Sequence, residues 1–363
     1  MKKFGILFLI ILAGVAAVWF LISHKVPPVG RDDAIDTVGG LIDPPMPPLP
    51  DITETRAVYI TASTAESGNM DAITELIKKT EGDRSVNAVV IDIQDGEGHV
   101  ILNDRIKALV RRLRFLKIFP IARVVVFQNN SLAQEKPDWA IKKANGQLWK
   151  DHGGRHWLDP SNKALWQYIA SIASEAITAG FGEGNFDYFR FPSEGVDTAV
   201  YPLWHESELK TAVINNAAKF LRDAIKKDHP EIKVTADIFG YTFMRRYDLG
   251  IGQSAPALAA IFDEICPMIY PSHYDSGNFN FQNPAAHPYD VVFQTLEKGK
   301  EIFTEAQQPF TNIRPWIQDF DLGAVYTVDM VQAQMKAITD AGLHEGWLIW
   351  NPHNKYRSAI FAP

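Results

Sequence analysis

Phe186-Asp187-Tyr188-Phe189-Arg190-Phe191-Pro192-Ser193 is an aromatic run that carries one carboxylate and one guanidinium and is closed by a proline. Its aromatic residues favour a β-strand, and a strand interior does not hold an unpaired charge cheaply. Asp187 therefore either faces a solvated cleft as a site residue or merely neutralises Arg190 at the strand end.

Working outward, seven further β-rich stretches occupy residues 57–62, 88–93, 121–127, 233–239, 264–270, 313–317 and 346–350, the run itself supplying 186–191. Between them, apolar residues at three- and four-residue spacing predict helices over 70–79, 104–116, 164–179, 206–227, 289–306 and 328–341. Strands alternating with helices imply parallel pairing, and eight such units in about 300 residues predict an α/β protein built as a (β/α)8 TIM barrel. An open doubly wound sheet would carry a glycine-rich phosphate turn after an early strand. Here Asp92 is followed by Ile93-Gln94-Asp95-Gly96-Glu97-Gly98, whose acidity repels a pyrophosphate. Few residues follow the eighth strand, so the eighth helix is expected to be short or missing. A C-terminal turn, the chain before Arg56, or neither then covers that side.

With 46% hydrophobic and 22% charged residues among 363, the chain has the apolar mass for one large core. A net charge of -7, with Lys and Arg scattered, excludes a nucleic-acid footprint. Residues 4–23 are uncharged, follow Lys2 and Lys3, and are long enough to cross ~30 Å of hydrocarbon. The run continues past Ala16-Ala17, where a signal peptide would be cleaved. Residues 1–25 are thus expected to form an uncleaved transmembrane signal anchor with its lysines in the cytoplasm. The proline-dense residues 26–54 are expected to be a semi-rigid spacer. That leaves 55–363 as the domain, on the periplasmic or extracellular side of the cell membrane. Cys266, the single cysteine, sits in an apolar run and is expected to be a small buried hydrophobe.

In such a barrel the active site is built at the C-terminal ends of the strands. The second strand places Asp92, Gln94 and Asp95 there, the fourth Asp187 and Arg190, and the fifth Asp237. The sixth adds Tyr270, His273 and Tyr274, the seventh Trp316, Gln318 and Asp319, and the eighth Trp350 and Asn351. Carboxylates among aromatic and amide side chains suit glycoside hydrolysis, in which two carboxyl groups flank the scissile bond. Neighbouring parallel strands lie ~4.8 Å apart, so Asp187 and Asp237, on consecutive strands, form the expected catalytic pair. Asp187 is the nucleophile or cation stabiliser and Asp237 the acid/base; the others are expected to bind carbohydrate. Arg190 is expected to keep Asp187 ionised, and the apolar neighbours Ile238 and Phe239 to raise the pKa of Asp237. Asp187 and Arg190 have opposite strand parity, so both reach one cleft only if the strand bends or ends near Phe189. The alternative for Asp92 and Asp95 is loop or helix capping, and for Asp237 a hydrogen bond inside the barrel. His152 and His156 flank Gly153-Gly154, which breaks any helix that would bring them to one face, so neither a metal nor a cofactor is expected. Asp159 before Pro160 predicts a helix-entry cap.

The blocks GGRHWLDPSN at 153–162, FDYFRFPS at 186–193, MIYPSHY at 268–274, RPWIQDF at 314–320 and GWLIWN at 346–351, in this order, resemble a bacterial family of glycosyl hydrolase domains otherwise classed as a domain of unknown function. The resemblance covers roughly residues 55–356. It implies a TIM barrel related to the α-amylase-like and other clans with a nucleophilic Asp at the end of strand four, here Asp187. Those clans commonly place a glutamate acid on strand five, where this chain has Asp237; Asp92 or Asp319 is the alternative acid. The leading expectation is an envelope-anchored glycoside hydrolase acting on a poly- or oligosaccharide. A non-catalytic glycan-binding barrel is the rival, and a carboxylate separation beyond about 10 Å favours it. A deacetylase requires a metal constellation.

Overall fold

In the computed structural model, residues 45–67, 73 and 85–362 are described. Eight parallel strands close into a barrel in sequence order: β1 (Thr55–Ile60), β2 (Ala88–Asp92), β3 (Phe119–Val125), β4 (Glu183–Asp187), β5 (Lys233–Phe239), β6 (Glu264–Met268), β7 (Trp316–Gln318) and β8 (Gly346–Trp350). β8 returns to β1 with Leu348 opposite Ala57. Closure there requires glycine at Gly346: its φ is +93°, and a Cβ would stand 2.0 Å from the Thr55 carbonyl oxygen. The described helices are α1 (Ala62–Ser67), α2 (Asp104–Phe115), α3 (Asn130–Glu135), α4 (Lys163–Thr178), α5 (Lys210–Asp228), α6 (Ala255–Ala259), α7 (Pro288–Glu305) and α8 (Val328–Asp340). The longer ones bury their periodic apolar faces, such as Leu165, Ile169 and Ile172 of α4, against the outward side chains of the strands. The helix expected over 70–79 lies, apart from Ile73, outside the described residues.

Most strand bounds shift from expectation, β1 and β3 by two residues toward the N-terminus, and three of the shifts have a local reason. β4 stops at Asp187, not Phe191, because Tyr188 takes a left-handed φ of 51°. β6 stops at Met268, short of the Tyr270-Pro271 pair that opens a 3-10 turn. β7 begins at Trp316 because Pro315 has no N–H for the ladder, which leaves Ile313 with only an isolated bridge to Ile265. The cap of α4 is Asn162, whose Oδ1 accepts the Ala164 and Leu165 amides. Asp159, expected in that role, instead accepts the Ser161, Leu203 and Trp204 amides and ties the loop after β4 to the turn before α4.

A C-terminal turn, Ser358–Phe361, covers the side where no α-helix follows β8 among the described residues. Phe361 stacks on Trp347 at 5.9 Å, and Gln332 of α8 donates to the Ala359 and Ile360 carbonyls. At the N-terminal mouth of the barrel, Leu49 and Ile52, late in the expected spacer, pack against the interior apolar layer beside Phe119. The expected transmembrane segment and residues 26–44 of the spacer lie outside the described residues. Among the described residues no helix is long and apolar enough to cross a membrane.

The barrel interior carries a polar column. Arg314, fully buried, pairs with Glu183 and, at 3.1 Å, with Glu264, which also pairs with Lys233. Glu183 accepts from Thr235 at 2.7 Å, and Thr235 from Asn185 at 3.1 Å. Asn185 donates upward to Asp237 at 2.9 Å. Removing the cation strands two interior carboxylates. Arg314→Met is expected to cost about 3–5 kcal/mol, read as a lower urea midpoint with the same denaturant slope.

Candidate active site

Strand register sets the centre of the site. Phe186 of β4 pairs with Ala236 of β5, so Asp187 and Asp237 stand at the next level side by side. On the other flank Arg123 of β3 pairs with Asp92 of β2. The Arg123 guanidinium enters the barrel and meets all three carboxylates. Its Nη1 donates to Asp92 at 2.5 Å, and its Nη2 and Nε donate to Asp187 Oδ2, the latter at 3.1 Å. Asp237 Oδ2 lies 4.0 Å from the same Nε. The Tyr59 hydroxyl donates to Asp92 at 2.5 Å, and burial keeps that phenol protonated. Asp187 Oδ1 accepts the Tyr188 amide, which the left-handed turn aims back at it.

Sharing one nitrogen limits the separation of the two Oδ2 atoms to the sum of the 3.1 Å and 4.0 Å contacts, inside the about 10 Å bound on paired glycosidase carboxylates. Burial, then the negative charge of Asp187, pushes the Asp237 pKa well above the carboxylate range, with Arg123 opposing. Asp237 Oδ1 accepts two neutral donors, Asn185 Nδ2 at 2.9 Å and Trp316 Nε1 at 2.7 Å. Its proton therefore sits on Oδ2, on the side of Asp187.

The residue that holds Asp187 is Arg123, not Arg190. Arg190 forms no ion pair with Asp187; its guanidinium lies over the Trp157, Phe239 and Tyr188 rings. It still reaches the cleft, because the strand ends before the parity conflict arises.

Asp187, Asp237 and Arg123 floor a cleft of about 600 Å³ walled by Tyr59, Tyr241, Tyr270, Tyr274, Trp316 and Trp350. Tyr270 packs on Trp350 at 5.4 Å, and Tyr274 stacks on Tyr241 at 5.0 Å. His273 borders this wall, its pKa lowered by burial, so it is neutral at pH 7. A second cleft of about 700 Å³ opens over the β1–β4 loops and shares Tyr59, Arg123, Tyr188, Arg190 and Glu194 with the first. Asp92, Gln94 and Asp95 line it.

Several expected binding residues are occupied within the protein. Asp95 closes its own loop by accepting the Glu97, Gly98 and His99 amides, the capping role. Gln94 accepts the Val125 amide through Oε1, while its buried Nε2 has no partner among the described residues. Gln318, Asp319 and Asn351 line neither cleft: Gln318 braces Ser272 and Phe320, Asp319 pairs with Arg357, and Asn351 donates to the Asp319 and Lys355 carbonyls. Burial lifts the Asp319 pKa to about 6, yet its place outside both clefts removes it as an alternative acid. His156 bonds the Trp149 carbonyl, and His152 faces Glu194 at 3.7 Å. Among the described residues no three His, Cys, Asp or Glu side chains group as metal ligands. Arg123, Tyr59, Asn185, Tyr188, Tyr241 and Glu194 are site residues that the sequence reading missed. Arg123 carried a signal, since a charge inside the apolar stretch 121–127 invites the argument applied to Asp187.

A family model described as "Putative glycosyl hydrolase domain" matches residues 57–356. The chain belongs to that family. Among curated proteins no sequence matches it. Similar solved structures include a hypothetical protein from Ruminiclostridium thermocellum ATCC 27405, 29% identical over 50% of this chain and 96% of that one, with a TM-score of 0.42. An α-galactosidase from Thermus thermophilus is 15% identical over 87% of this chain and 63% of its own, with a TM-score of 0.52. The α-L-fucosidase isoenzyme 2 from Paenibacillus thiaminolyticus is 11% identical over 85% and 48%, with a TM-score of 0.54. These two enzymes share the barrel fold with the family member described here, which spans about half to two thirds of their length.

The Asp237 shift has a consequence for stability. Above an unfolded value of about 3.9 the denatured chain releases a proton that the native state keeps, so this residue's contribution is lost as pH rises toward its folded pKa. Asp237→Asn cannot ionise. Its stability relative to the parent protein is expected to improve with pH above about 4, by up to about 1.4 kcal/mol per pH unit, measured as urea midpoints from pH 4 to 8.

Proposed function

We propose that this protein hydrolyses a glycosidic bond of a poly- or oligosaccharide, with Asp187 as nucleophile or cation stabiliser and Asp237 as proton donor. One observation carries the reading: a single buried guanidinium holds a paired carboxylate and a raised-pKa carboxyl side by side on the floor of an aromatic cleft. The roles follow from environment. Asp187 presents an anion fixed by Arg123 and the Tyr188 amide, suited to the positive charge of an oxocarbenium-like transition state. Asp237 retains its proton on Oδ2, free to pass to the leaving oxygen, while Asn185 and Trp316 fix the carboxyl's orientation. Tyr270 and Trp350 offer ring faces for the sugar, and family membership supports the same reaction class. A binding module would have no need for this matched pair.

Asp187→Asn is expected to reduce hydrolysis to background with the melting temperature retained. Asp237→Asn should lower kcat by about 10²–10⁴-fold. The screen that reads this uses residues 46–363, which keep Leu49 and Ile52 in the barrel floor, against a panel of bacterial envelope and storage glycans. Unchanged turnover in Asp187→Asn removes that residue from the mechanism.

We propose further that the enzyme stands on the outer side of the cell membrane, held by residues 1–25 as a single-pass anchor. The uncharged run behind Lys2 and Lys3 supports this. The full chain is expected in the membrane fraction, with its domain cleaved by protease added to cells or spheroplasts. Recovery in the cytosol opposes it.

A further inference from the structure

Two arginines inside the barrel are answered by carboxylates, Arg123 by three and Arg314 by two. Arg190 is the exception. It is only 8% exposed, yet among the described residues it forms no ion pair. Its guanidinium carbon lies 4.3 Å from the Phe239 ring centre, 4.8 Å from Trp157 and 5.7 Å from Tyr188. Its hydrogen bonds, both from Nη1, go to neutral acceptors: the Phe191 carbonyl at 3.1 Å and Ser193 Oγ at 3.4 Å. Among the described residues Nε and Nη2 have no acceptor, and the group lines both clefts where they join. Aromatic faces orient a cation but do not neutralise it, and a desolvated guanidinium without a counter-ion is costly. Burial accordingly lowers its pKa, and Tyr188, Asp187, Glu194 and Asp151 oppose that shift without reversing it.

We infer that the open side of Arg190 receives a carboxylate of the substrate, so that the glycan taken at this site is acidic and seats a hexuronic acid beside Asp187. This rests on the glycoside hydrolase reading. A guanidinium offers two parallel N–H groups that match the two oxygens of a carboxylate, and the aromatic faces hold its plane fixed. A neutral sugar would exclude water from the cation without answering its charge, so the site discriminates by what it leaves unpaired. The left-handed Tyr188 turn places this recognition group within three residues of Asp187.

The test measures binding of D-glucuronate and D-galacturonate against D-glucose and D-galactose by titration calorimetry, on the full chain and on its Arg190→Met and Arg190→Lys variants, with thermal unfolding of each recorded. The uronates are expected to bind at least about tenfold more tightly than the neutral sugars, with an advantage that shrinks in salt. Arg190→Met should erase the advantage of the uronates over the neutral sugars. Arg190→Lys, which keeps the charge and loses the planar fork, should retain part of it. Equal binding of uronates and neutral sugars, no binding of either uronate, or a preference that survives Arg190→Met overturns the inference. A stronger preference for galactose 6-sulfate than for both uronates overturns it as well. Where Arg190→Met does not fold, an undiminished preference in Arg190→Lys has the same force. Binding needs no turnover, so loss of the hydrolase reading through an active Asp187→Asn variant is distinguishable from loss of this one.

Discussion

The site depends on one cation, Arg123. Its side chain enters the barrel from the middle of β3 and touches carboxylates contributed by β2, β4 and β5. Three carboxylates this close repel one another, and the guanidinium makes their proximity tolerable. It meets them unequally. Asp92 and Asp187 take direct N–H contacts, whereas Asp237 is left at 4.0 Å and keeps its proton. The proposed division of labour between the two rests on that asymmetry: one cation cannot neutralise three acids, and burial raises the pKa of the most enclosed of them.

A second cation lower in the barrel makes the asymmetry possible. TIM-barrel interiors are typically filled by branched apolar side chains. Here Arg314 with Glu183, Glu264 and Thr235 occupies that volume, and Asn185 links this layer to Asp237. Such a column adds little net stability over an apolar filling. Its effect is orientation, because Asn185 and the Trp316 indole both donate to Asp237 Oδ1 and so fix which oxygen carries the proton. Cys266, held within the same interior, is pushed by burial far from thiolate character, in keeping with a structural residue.

The barrel was legible because its signal is repetitive: eight short β-rich stretches separated by 3.6-periodic segments leave few topologies open. Asp187 and Asp237 were legible because a carboxylate inside an apolar strand has few inexpensive explanations. Arg123 obeyed the same logic and was passed over, since nothing local says which carboxylate a strand cation will meet; that depends on barrel register. Gln318, Asp319 and Asn351 show the opposite failure. They stand at the ends of β7 and β8 on the correct face, yet their polar side chains are consumed in bracing the loops around them.

Strand parity was the clearest conflict within the sequence, and one torsion angle resolves it. A tyrosine at φ 51° costs about 1–2 kcal/mol relative to an extended residue, and such conformations persist only where the surroundings over-determine them. The Tyr188 ring packs edge-on against Trp157 at 5.8 Å and lies under the Arg190 guanidinium. Its amide is drawn toward Asp187. The turn thus ends β4, supplies a donor to the nucleophile candidate and swings Arg190 from the outer face of the strand into the cleft. Glycine would adopt the angle without strain, but it would remove the ring against which Arg190 and Trp157 are set. The strained tyrosine is what couples the carboxylate floor of the site to the cation at its edge.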